Sequence, residues 1–157
     1  MKKGRVKRII RWLLLIGVGL FAIAQFIRPA KTNPTLQPSN ALEAHVQVDP
    51  QVAQILDRSC NDCHSNKTRW PWYSHVAPVS WFVIDHVNHG RSHLNFSEWG
   101  GYDKNEQREL LDEACRMVKK GEMPLSSYTP MHSDSKLTPA DVTTICEWSS
   151  RSMSQIP

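Results

Sequence analysis

The first 31 residues contain no Asp or Glu, although they carry eight Lys and Arg. The formal charge of +4 therefore comes from one end, and the remainder holds 11 basic against 15 acidic residues. That mildly acidic bulk argues against a nucleic-acid partner, which needs a basic face. Convincing runs of alternating apolar and polar residues are also missing, so no sheet is expected. Cysteine is scarce: of four, only Cys60 and Cys63 are close together, and Cys115 and Cys146 are solitary. A four-ligand zinc site would need a second closely spaced Cys or His pair, for which only His86, His89 and His93 could stand in. A redox C-x-x-C is expected beside a strand-helix pattern, and none is found here. There is no internal repeat, and no further acid-base constellation stands out, although His86 and His132 could serve one.

What is present is Cys60-Asn61-Asp62-Cys63-His64. C-x-x-C-H is the spacing of covalent c-type haem attachment. Within one helical turn two thiols can reach the haem vinyl groups while the adjoining imidazole reaches the iron from the same side. On this reading Cys60 and Cys63 form thioether links and His64 is the proximal iron ligand. The motif occurs once, so one haem c is the expected cofactor.

The basic amino terminus precedes an apolar run from Trp12 to Ile27, broken only by Gln25 and closed by Arg28. Ile9 to Ile27 as a single helix would measure about 28 Å, close to a hydrocarbon core, if Arg11 snorkels. We therefore expect residues 1–28 to form a transmembrane anchor. Positive charge on the inner side leaves the carboxyl-terminal domain in the periplasm or on the outer side of the cytoplasmic membrane. The alternative is a signal peptide cleaved after Ala22-Ile23-Ala24, with release to the periplasm. Residues 29–48, rich in Pro, Thr and Asn, read as a linker, and 49–157 as the folded domain.

That domain reads as all-α. Asp49-Pro50 opens a helix towards Cys60 with Val52, Ile55 and Leu56 inward. Trp70-Pro71-Trp72-Tyr73 and Pro78 form a long turn whose rings can wall a porphyrin. A second helix follows from Pro78 or Val79 to about His89, with Val79, Phe82, Val83 and His86 on its apolar face. Asp103 with Glu106 caps a third, which carries Leu110, Leu111, Ala114, Cys115 and Val118 and ends at Gly121. Thr138, Pro139 and Asp141 begin the last, lined by Val142, Ile145 and Cys146. Cys115 and Cys146 fall on apolar stripes and could meet as a disulfide; two buried free thiols are the alternative.

Met123, in Gly121-Glu122-Met123-Pro124, is the second chemical signal. A thioether is soft and uncharged, binds ferrous haem iron and raises its potential. Met123 is the expected distal ligand, with Met131 as rival; Met117, inside a helix, reads as core.

Cys60 to Tyr73 (CNDCHSNKTRWPWY), P-V-S-W, H-V-N-H-G-R-S-H-L-N-F-S-E-W, G-E-M-P and Y-T-P-M-H together resemble the haem-binding domain family, small exported bacterial proteins with one C-x-x-C-H. The resemblance covers roughly residues 20 to 150, including Gln25 to Pro29. It implies haem at Cys60, Cys63 and His64 and a mostly helical, cytochrome c-like fold; Cys115 and Cys146 lie outside its motifs. The expected function is an anchored monohaem cytochrome passing single electrons between membrane or periplasmic redox partner proteins, more a carrier than an enzyme. The alternatives are a redox or gas sensor or a peroxidase-like enzyme with an open distal site, and a structural domain whose core the haem completes.

Overall fold

The computed structural model describes residues 2–157, with side chains from Gly4 onward. Among these residues six α-helices and several short 3-10 turns are found and no strand, so the fold is all-α as expected. The helices are α1 (Lys2–Ala24), α2 (Pro50–Ser59), α3 (Asn61–His64), α4 (Val79–His93), α5 (Lys104–Lys120) and α6 (Pro139–Gln155). The chain divides into two compact units, one of residues up to Thr32 with Trp70–His86, the other of Asn33–Arg69 with Val87–Pro157.

In the first unit α1 is apolar on every side from Trp12 onward, and those side chains are exposed. The expected transmembrane span is not borne out: no helix among the described residues is long and apolar enough to cross a membrane. The helix ends at Ala24, which leaves the apolar turns from Trp12 at about 20 Å, short of a core near 30 Å. Gln25, the polar break in the run, has a structural role. Its amide donates to the Ala77 carbonyl at 3.1 Å and accepts from the Ala77 N–H at 3.0 Å. Trp81 Nε1 donates to the Ile27 carbonyl at 2.7 Å. The Trp72–His75 stretch is a 3-10 turn, and Trp72 is 72% exposed.

The face expected of α4 is also corrected. Its first turns bury Ser80 and Ile84, while Val79 and Phe82 are exposed. Apolar residues are spread around most of this helix, so their periodicity does not select one side. His86 lies against the Phe82 ring, centroids 4.0 Å apart, and its Nδ1 donates to the Phe82 carbonyl.

The second unit holds the core. Val52, Ile55 and Leu56 of α2, Leu111 and Val118 of α5, and Ile145 and Trp148 of α6 pack with Leu94, Phe96 and Trp99. The stretch expected to be a linker also contributes: Leu42 and Val46, beside the short turn Leu42–Ala44, are buried in the same cluster. Burying a side chain of that size contributes about 1.5–3 kcal/mol, which is why a Pro- and Asn-rich stretch takes a fixed course.

The two long helices start as the sequence indicates. Asp103 Oδ1 accepts from the N–H groups of Asn105 and Glu106 while Glu106 returns a carboxylate to the Asp103 N–H. Thr138 and Asp141 make the same reciprocal pair. Gly121 ends α5 with φ 69°, a left-handed conformation that glycine adopts without a Cβ penalty. Cys115 and Cys146 are joined as a disulfide between α5 and α6, Cα atoms 4.8 Å apart.

Candidate functional site

The helix α3 is one turn built on the motif itself. The N–H groups of Cys63 and His64 both donate to the Cys60 carbonyl, at 3.1 and 2.9 Å. Cys60 continues directly from α2, donating to the Leu56 carbonyl. The last turn of α4 packs against this segment at Gly90, where a Cβ would lie 2.6 Å from the Cys63 carbonyl oxygen. Only glycine permits that approach without backbone displacement.

Residues just after the motif hold its polar side. Asp62, 7% exposed, accepts from Arg69 N–H and Nε at Oδ1, and from the Tyr128 hydroxyl at Oδ2. Thr68 Oγ1 donates to the Asp62 carbonyl, and Arg91 donates to both Ser65 O and Thr68 Oγ1. Asn66 donates to Ser97 Oγ and Glu98. The polar run from Ser65 to Arg69 is thus a fixed frame around α3.

The other side opens on an apolar cleft. The cleft lies between Cys60, His64, Leu94, Phe96, Met117 and Met123, with α2, α5 and α6 supplying further walls. The cleft brings together Cys60, His64 and Met123. Cys63 is not among its lining residues. The aromatic lining comes from Phe96 and Trp148, not from the rings between Trp70 and Tyr73 to which the sequence assigns a wall.

The His64 ring is held by the backbone. Its Nδ1 lies 3.0 Å from the Leu94 carbonyl. A carbonyl only accepts, so Nδ1 carries the proton and the neutral ring keeps its lone pair on Nε2. Burial pushes the imidazole pKa down, more than backbone hydrogen bonds at Leu94 and Gly90 raise it. Both motif cysteines are free thiols. Burial pushes Cys60 up to about 12, and burial with the Asp62 charge pushes Cys63 up to about 11. In the protein without a bound group, burial thus keeps both thiols protonated at neutral pH. Among the described residues no group of three or more His, Cys, Asp or Glu is arranged to hold a metal ion.

Met131, the rival ligand, is 58% exposed and does not line the cleft. Met117, read as core, does line it, one helical turn before Gly121. Sequence reasoning named His93 only as one of three histidines that could hold a metal and missed Glu113; both line the cleft, with His93 Nε2 2.8 Å from the Glu113 carboxylate. The spacing of His86, His89 and His93 drew notice to the right helix, but only its last histidine reaches the site.

The fold and cleft define a small all-helical protein with an apolar cofactor pocket carrying an oriented imidazole, a thioether and a free thiol. The family described as haem-binding domain matches residues 19–151, and the chain belongs to that family. Neither the curated proteins nor the solved structures yield a match.

Proposed function

We propose that this protein is an exported monohaem c-type cytochrome domain that transfers single electrons. The observation that carries the reading is the Nδ1–H of His64 held by Leu94, which puts the lone pair of the neutral ring on Nε2 in a residue that lines a cleft with Cys60 and Met123. The donor set fits haem: Cys60 and Cys63 would each add S–H across a vinyl group, His64 Nε2 would take the iron, and Met123 sulfur would be its second protein ligand. Bound haem supplies a one-electron ferric/ferrous couple. The Leu94 carbonyl fixes the His64 ring and strengthens it as a donor. Met123 and the apolar walls favour the less charged, reduced state. Two protein ligands let an electron move with little rearrangement.

Export is supported by the basic, acid-free amino terminus followed by an apolar helix of signal-segment length. The Cys115–Cys146 bridge suits an oxidising compartment. A peroxidase-like or ligand-sensing use is the second reading, favoured by the His93–Glu113 pair on the cleft wall, an acid-base couple beside the same space.

Coexpression with c-type maturation machinery, followed by haem staining after denaturing electrophoresis, tests the attachment. We expect stain on the full chain and none on the Cys60→Ala/Cys63→Ala double variant. A chain that releases its haem on denaturation contradicts covalent attachment.

A further inference from the structure

The loop that carries Met123 runs from the end of α5 to α6, and its middle is folded on itself. Tyr128 and Thr129 N–H groups both donate to the Leu125 carbonyl, at 2.9 and 3.2 Å, and Met131 N–H donates to the Tyr128 carbonyl. The Tyr128 ring stacks on His132, centroids 4.0 Å apart and planes 11° from parallel. From this body the Tyr128 hydroxyl donates to Asp62 Oδ2 at 2.7 Å. Asp62 lies between the motif cysteines, and its other oxygen is held by Arg69. Arg69 is in turn tied to Asp57 of α2 by its guanidinium, to the side chain at 3.1 Å and to the carbonyl at 2.6 Å. A rigid acceptor inside the attachment motif therefore meets a donor five positions after Met123.

We propose that Tyr128 is a positioning residue: its hydrogen bond to Asp62 fixes the methionine-bearing loop relative to the haem-attachment turn and so sets how firmly Met123 holds the iron. The inference rests on Met123 as an iron ligand. Burial and the neighbouring carboxylate push the Tyr128 hydroxyl well above its ordinary value, so it stays a donor throughout the neutral range. The loop reaches the cleft at Met123, where the side chain packs against the core. A loop held only at that end would let the sulfur leave more readily. The bond to Asp62 adds a second fixed point directly on the turn that presents Cys60, Cys63 and His64.

The test uses the matured full chain with haem. Carbon monoxide binding to the reduced form measures how often the Met123 position opens, and the reduction potential reports the sulfur-iron bond. Tyr128→Phe removes one oxygen and keeps the ring. It should bind carbon monoxide about tenfold faster, the factor typical of one hydrogen bond to a charged acceptor, and its potential should fall. Met123→Ala is the control for the underlying reading and should bind carbon monoxide fastest. If Met123→Ala opens the site while Tyr128→Phe matches wild type in both readouts, the positioning role is overturned and the ligand reading stands. If Met123→Ala binds carbon monoxide no faster than wild type, the ligand reading falls and this inference falls with it.

Discussion

Gly90 shows how a single atom decides the geometry of the site. Helix propensity alone favours alanine there by about 1 kcal/mol. Contact opposes it, because the new Cβ would sit 2.6 Å from the Cys63 carbonyl oxygen and 3.2 Å from the Cys63 Cβ. Backbone on both sides gives little room to relax, and overpacking of this kind costs about 1–3 kcal/mol. We therefore expect Gly90→Ala to lower the urea midpoint, although propensity predicts the opposite sign; a midpoint that rises would contradict the close approach of α4 to α3. Residue identity made Cys60, Cys63, His64 and Met123 legible as candidates, because each type brings a specific bonding chemistry. Gly90 was not legible, since its role depends on which backbone lies opposite. The same holds for Leu94, whose side chain is ordinary and whose carbonyl orients His64.

Among the elements, those with local signals were readable and those depending on a partner surface were not. The starts of α5 and α6 are written in capping boxes, and the end of α5 in Gly121. The inner face of α4 and the burial of Leu42 and Val46 depend on what packs against them. The α6 cap carries a pH consequence. Burial pushes the Asp141 carboxyl up, but hydrogen bonds from the Thr138 N–H, Arg58 and the Thr138 hydroxyl together outweigh it and leave the pKa below its ordinary value. A carboxyl lowered by folding stabilises fully above its unfolded pKa, and that contribution is lost as pH falls through the folded value. Asp141→Asn should therefore cost about 1–2 kcal/mol at neutral pH, through the cap and the 2.8 Å ion pair with Arg58. At about pH 2 the difference from wild type should shrink towards zero. Denaturant unfolding at both pH values checks this, and an equal gap at both would refute the linkage.

At the scale of the whole molecule, the chain combines a basic-apolar amino terminus, a disulfide between α5 and α6, and a cleft where a reduced C-x-x-C-H turn faces a methionine loop. The helical class was legible in the caps and the apolar periodicity, and the haem-binding family in the C-x-x-C-H motif and the segments that accompany it. The length of α1 did not follow, because the apolar run passes through Gln25, whose side chain turns to Ala77 after the helix has ended. The central proposal is that Cys60 and Cys63 would hold a haem covalently and that His64 and Met123 would both ligate its iron. The most direct measurement is the absorption spectrum of the matured full chain, oxidised and then dithionite-reduced, before and after carbon monoxide. The account predicts a low-spin c-type spectrum that carbon monoxide leaves unchanged on mixing. Immediate carbon monoxide binding, or no haem spectrum after maturation, would contradict it.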